Sequence, residues 1–433
     1  MSESHEQPVP SARNGEPRRC PWHATYDPLS PEELSEPTVT MEKARRESPV
    51  FYSERMGMWA VANRADILTV LRDKKNFSAR RAMPFPEVPD IVRDRLPKLN
   101  GKAVYPSALT PLVKDDPHHR PARALLQAPF TPRRVLDREP RIRAIATRLL
   151  SAHEDGPFDF IGGYSIQLAL RVIGDIVGIP EADLPFIERS IDAVFQLNGL
   201  GLTDPAAIDT CAKAVADYWD YIYAIAEDRC ASPRDDFTSV MAQTRKPDGE
   251  LPTPRDIAEN IHSIISPGFE TSAQAINWGM SSILTHRDQW ELLKADRSLV
   301  EQAITEMLRY RTVLKRAFRV TTNDVEVGGV TIPKDSMVTL LYPSANRDQA
   351  HHADPDTFDI RRTEDNLAFG RFQHTCVGAP MARLEMKVTV ELFLDRYPNA
   401  YMPEQDLEWR SDARIHALTG CLLDLRAREA VAS

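Results

Sequence analysis

The sequence predicts a protein that is mainly α with small β-sheets. From Pro132 to Pro247 apolar residues recur with a period near 3.6, clearest at Leu149-Leu150, Ile166 to Ile179 and Ala214 to Ala226, the pattern of helices that bury one face. Asp256 to about Trp290 carries the longest helical pattern, roughly 50 Å if continuous. Period-two runs are short and few. With 42% hydrophobic and 27% charged residues over 433 positions, the chain can bury a large core, as several average domains or as one large enzymatic unit.

Taken in order, residues 1–25 are polar and proline-containing and read as a poorly ordered tail. Val50 to Ser53 and Met58 to Val61 form a predicted hairpin around Glu54 to Gly57, followed by a helix over Arg64 to Arg72. Arg80 to Asp116 has many prolines and little periodicity, so it reads as a functional loop or a mobile surface insert. A helix then opens in which His119 and Arg123 project from one face, suited to gripping one anion or to a solvated basic surface. Leu197 to Leu202 breaks the helical pattern as a lid or as an ordinary turn. Inside the long helical pattern Pro267 cannot donate to the Ser263 carbonyl, which predicts a kink or a meeting of two helices. The freed carbonyl is a candidate anchor for water or a polar substrate group. Glu306 and Arg309 share a helical face, and Arg319 to Thr321, Val325 to Ile332 and Val338 to Tyr342 read as strands, the second turning at Gly328-Gly329.

Composition excludes several classes. A net charge of −9 without a dominant basic run argues against nucleic-acid binding. The five cysteines are odd in number and form no CxxC pair, which argues against a disulfide framework or structural zinc and for a reducing cytoplasm. No apolar run of about 18 residues and no export signal are visible, so no membrane anchor is expected.

The chemistry concentrates in Phe369-Gly370-Arg371-Phe372-Gln373-His374-Thr375-Cys376-Val377-Gly378. Cys376 stands at the entrance to a helical run, whose unpaired N–H groups and dipole favour a thiolate. By spacing alone it reads rather as a small buried hydrophobe. The segment resembles the haem-binding loop of the cytochrome P-450 family of haem-thiolate monooxygenases, Phe-Gly-x-Gly-x-His-x-Cys-x-Gly. Phe369, Gly370, His374, Cys376 and Gly378 match, and Phe372 stands where the family has glycine. Gly268, Glu270, Thr271 and Ser272 resemble the family's oxygen-binding motif, with Pro267 replacing a small residue. Glu306-x-x-Arg309 and Phe358-Asp359-x-x-Arg362 follow in the family's order, so the resemblance spans Asp27 to Arg426.

The resemblance implies one cytochrome P-450 catalytic domain over 26–433 around a single haem b (iron protoporphyrin IX). In it Cys376 ligates the iron, and His119, Arg123, Arg319 and His374 bind haem propionates, with Phe369 and Gly378 completing the haem loop. Thr271 and Glu270 relay protons to dioxygen. Glu306, Arg309 and Arg362 serve folding, and the 80–116 region caps the substrate pocket. The implied reaction inserts one oxygen atom from O2 into a small organic substrate, a bacterial secondary metabolite, with electrons from a separate ferredoxin and NAD(P)H-dependent reductase in the cytoplasm. Oxidative coupling, cyclisation or desaturation by the same chemistry is the alternative, and a haem sensor or carrier is the remaining class. Arg371, Arg383, Lys387, Arg133 and Arg134 form a candidate basic patch for an acidic ferredoxin. Lys315 and Arg316 are expected at the solvent or against an anionic substrate, and Phe269 and Leu314 are expected to floor an apolar pocket.

Overall fold

The computed structural model describes residues 26–80, 87–153, 156–198, 204–410, 412 and 414–426. The expected tail over 1–25 lies outside these, as do residues 199–202 of the expected lid. Helices α1 (Pro31–Ser35) and α2 (Pro37–Glu47) precede the hairpin β1 (Val50–Ser53) and β2 (Met58–Val61). Helix α3 (Arg64–Arg72), capped by the Asn63 side chain, and strand β3 (Phe77–Ser78) follow. Between residues 87 and 116 the chain is not one open loop. It folds into 3-10 turns at Asp90–Val92, Pro106–Leu109 and Pro111–Val113 and a small hairpin, β4 (Lys98–Leu99) with β5 (Lys102–Ala103). The prolines that break periodicity there open these turns, because their fixed φ suits a first helical position.

The helical stretch comprises α4 (His119–Gln127), α5 (Pro132–Leu136), α6 (Glu139–Leu150), then strand β6 (Phe158–Asp159), α7 (Ile166–Val177), α8 (Leu184–Asn198), α9 (Pro205–Ala231) and α10 (Phe237–Gln243). Helix α11 (Pro254–Thr285) starts with a capping box between Thr253 and Asp256 and runs unbroken through Pro267. It stops short of Trp290. The Thr285 hydroxyl and the His286 ring turn onto the Ser281 and Ser282 carbonyls (2.8 Å each), which competes with the backbone ladder. Helix α12 (Arg287–Ala295) begins afresh, followed by α13 (Val300–Tyr310).

Strands β7 (Arg316–Thr321), β8 (Val325–Val327), β9 (Val330–Ile332) and β10 (Met337–Leu341) lead to α14 (Tyr342–Ala345), α15 (Ala379–Arg396) and β11 (Leu422–Leu423). The main sheet has the order β1-β2-β10-β7-β3, and its β2–β10 pair is parallel, with Val338 opposite Trp59. A small core of Val50, Val61, Ile67, Val338 and Leu340 lies beneath it. The larger core surrounds α11, which packs on α7, α9, α13 and α15. Among the described residues no helix is long and apolar enough to cross a membrane.

Three charged groups are placed differently from expectation or in fuller detail. Lys315 and Arg316 are 1% and 2% exposed, not at the solvent. Lys315 Nζ donates to the Glu33 and Asp412 carbonyls (3.4 Å each) and Arg316 to the Tyr26 hydroxyl (3.2 Å), because the N-terminal segment folds over them. Burial lowers Lys315 to about 8 and raises Glu33 to about 7. Two cations of the expected basic patch are paired: Arg371 with Asp365, and Lys387 3.8 Å from Glu139, while Arg383 donates to the neutral Thr305 Oγ1 (3.0 Å) and keeps its charge. Glu139 and Thr305 are distant in sequence from the cations they meet, whereas Asp365 is six residues from Arg371. Arg133 and Arg134 stay exposed. Glu306 and Arg309 pair at 2.6 Å with both side chains fully buried, and Arg362 Nε lies 3.4 Å from Glu306. Arg309 spends its remaining donors on the Asn346, Pro355 and Thr357 carbonyls (3.0, 2.7 and 3.1 Å), which offsets the desolvation of a buried pair.

Candidate functional site

Two left-handed residues shape the cysteine loop. Gly370 sits at φ +64°, where an added Cβ would lie 3.3 Å from the Tyr342 hydroxyl. Phe372 sits at φ +59°, so it adopts the conformation that a glycine would take freely, at a cost of about 1 kcal/mol. Its exposed ring lies under the Arg72 guanidinium, 5.1 Å from the centroid. The Cys376 amide donates to the Phe369 carbonyl (2.9 Å), closing the loop. The sulfur in turn receives the N–H groups of Gly378 and Ala379 at the start of α15.

Cys376 is enclosed by protein, yet its side chain is accessible, so it borders an internal cavity. Burial pushes its thiol up, and the opposing pull of the two amides and Arg123 does not cancel this. The helix end alone therefore does not make a thiolate here. A further positive charge against the sulfur would.

The predicted anion-binding residues converge. His119 is 3% exposed with neither ring nitrogen hydrogen-bonded, and its ring lies 4.6 Å from that of His374. Arg123, one helical turn on, donates to the Thr375 carbonyl (2.6 Å). Arg319 on β7 is buried, donates to the Phe318 carbonyl (2.7 Å), and shares a cleft with His374, Lys74 and Asp115. Burial first, then the charges of Arg319, His119 and Arg123, lower His374 to about 3, and burial lowers His119 as well. So many crowded donors call for an anion among them.

On α11 the residues Pro267, Gly268, Thr271 and Ser272 are accessible although Ser266, Phe269, Glu270 and Ala273 beside them are buried. This stripe faces an internal cavity. Thr271 Oγ1 donates to the Pro267 carbonyl (2.6 Å). Glu270 is 8% exposed; one carboxylate oxygen pairs with Arg410, and the other is buried without a partner. Phe269 packs into the main core at 4% exposure instead of flooring a pocket, because its helical position points away from the accessible stripe. Leu314 is half-buried against both cores. Arg410 was not singled out from the sequence, since no spacing or motif links it to Glu270.

Comparisons with known proteins point to one family. The family model "Cytochrome P450" matches residues 204–414. Erythromycin C-12 hydroxylase of Saccharopolyspora erythraea is 31% identical over 375 residues, 86% of this chain and 89% of that protein. The chain belongs to the cytochrome P450 family. Steroid C26-monooxygenase of Mycobacterium tuberculosis is 34% identical over 82% of this chain and 90% of its own length. The solved structure of cytochrome P450 CYP109Q5 from Chondromyces apiculatus superposes with a TM-score of 0.82 at 29% identity, covering 94% of this chain and all of that one.

A P450 is a haem-iron monooxygenase, and the residues present suit that cofactor. Cys376 presents a thiol to the cavity, and the unpartnered nitrogens of His119 with the donors of His374, Arg123 and Arg319 suit the two carboxylates of a haem. In this P450 the departure at Phe372 leaves the loop's turn intact.

Proposed function

We propose that this P450 inserts one oxygen atom from O2 into a small organic substrate, a bacterial secondary metabolite, using haem b within one catalytic unit over 26–433. Cys376 would hold the iron, and His119, Arg123, Arg319 and His374 would hold the propionates, with Phe369 and Gly378 shaping the loop. When bound, the haem iron supplies the activation of dioxygen. The convergence of Arg123, Arg319 and His374 on a buried His119 with no partner at either ring nitrogen, close to an accessible cysteine, is the observation that carries this reading.

The protein's own groups handle protons. Thr271 reaches the cavity with its hydroxyl tied to the Pro267 carbonyl, which leaves its oxygen lone pairs free to accept. Beside it, Glu270 has one free carboxylate oxygen, a place to take up a proton and pass it toward Thr271. Pro267 gives the accessible stripe apolar surface, which favours a hydrophobic scaffold. Macrolide and steroid substrates in the names of two relatives support that class. Electrons would come from a separate cytoplasmic ferredoxin and its NAD(P)H-dependent reductase.

The test supplies haem-loaded protein with a ferredoxin, its reductase, NADPH and isotopically labelled dioxygen, over a panel of macrolides and steroids. A product carrying one labelled oxygen atom is expected. Product that gains no label would contradict insertion and favour desaturation or coupling.

A further inference from the structure

Glu270, Gln274 and Trp278 stand four apart on α11 and share one face. All three grip the C-terminal loop over 409–418. Glu270 pairs with Arg410, Gln274 exchanges hydrogen bonds with the Leu418 backbone (3.0 and 3.3 Å), and Trp278 Nε1 donates to the His416 carbonyl (2.8 Å). Trp278, Trp409 and His416 also stack, with centroids 5.4, 4.7 and 5.0 Å apart. The loop is therefore anchored by Gln274 and Trp278 without help from Arg410.

What Arg410 adds is a cation at the one carboxylate beside Thr271. Its guanidinium lies 3.4 Å from Asp412 in the same loop and within electrostatic reach of Asp192 on α8 and of Arg414. Arg414 in turn lies over the Phe195 ring of α8, 5.4 Å from its centroid, so the loop also touches the helix bearing Asp192. The pair engages one carboxylate oxygen of Glu270 and leaves the second buried without a partner.

We propose that Arg410 is a positioning residue for Glu270: carried in by the clamped C-terminal loop, it keeps one carboxylate oxygen tied and ionised and leaves the other free to receive a proton. The groups that share its charge are Asp412 and Arg414 of the loop and Asp192 of α8, while Gln274, the neighbour on α11, is neutral. The guanidinium favours the carboxylate; without it, a carboxyl this buried keeps its proton to higher pH. The proposal rests on reading Glu270 as the proton carrier.

Infrared spectroscopy of the haem-loaded, resting protein tests it, with Arg410→Gln, Arg410→Lys and each combined with Glu270→Gln. Arg410→Gln is expected to move the midpoint of a protonated-carboxyl band upward by about one pH unit or more. The added Glu270→Gln should erase that band, and Arg410→Lys should titrate like the parent. The pH profile of turnover should move in the same direction. An Arg410→Gln protein that keeps the parent's carbonyl titration and a normal carbon monoxide spectrum would overturn the proposal. If the band moves but Glu270→Gln turns over normally, positioning by Arg410 holds and the proton-carrier reading fails.

Discussion

Cys376 and Glu385 bury ionisable groups at the entry and in the body of one helix, and their surroundings treat them differently. The cysteine has two amides and Arg123 working against its desolvation, whereas Glu385, 2% exposed, has no compensating charge and one unpartnered oxygen. Burial alone raises Glu385 from 4.5 to about 8. The folded state thus holds this proton more tightly than the unfolded chain, so the stabilisation is complete below pH 4.5 and is lost as pH rises through about 8. Every tenfold gain in proton affinity on folding is worth about 1.4 kcal/mol. Glu385→Gln, which keeps the shape and removes the charge, should flatten the fall in denaturant midpoint between pH 5 and 8; an unchanged slope would refute this role. Such effects were illegible in the sequence, where Glu385 is one more polar residue in a helical run. Phe372 was legible only as a departure: its spacing marks the place for glycine, but the left-handed backbone that Phe372 keeps had to be seen.

At the scale of elements, α11 organises three surfaces at once. One stripe meets the cavity through Pro267 and Thr271, another grips the C-terminal loop through Glu270, Gln274 and Trp278, and Gly268 admits α7. A Cβ at Gly268 would lie 2.6 Å from Ile173 Cδ1. That methyl is the far end of a flexible side chain that can turn aside, so the strain falls below the roughly 1–3 kcal/mol of core overpacking and is offset by about 1 kcal/mol of helix propensity gained with alanine. Gly268→Ala should therefore change the thermal midpoint little, and a large loss that Ile173→Val restores in the double variant would show that Ile173 cannot turn aside. Helix α11 was legible from its periodicity, and α3, β1 and β2 fall where the pattern put them. The end of α11 was not, because Thr285 and His286 fit the helical pattern while their side chains compete for the last carbonyls, those of Ser281 and Ser282. Lys315 and Arg316 were misplaced for a related reason: what covers them is the segment around Tyr26 and Glu33, remote in sequence.

For the whole molecule, sequence order showed the motifs and the fold family, but folding decides which charges meet. His119 and Arg123 on α4, Arg319 on β7 and His374 in the cysteine loop come from three regions and gather in one place. The same folding pairs Arg371 and Lys387 with carboxylates, so electrostatic steering of an electron donor would rest on Arg133, Arg134 and Arg383. All of this depends on Cys376 being the group that faces the iron. The most direct measurement is the difference spectrum of the reduced, haem-loaded protein with and without carbon monoxide, recorded beside Cys376→Ala. A strongly red-shifted Soret band in the parent that disappears in the variant is the predicted result, and a band left unchanged by the substitution would contradict the assignment of Cys376 and the function built on it.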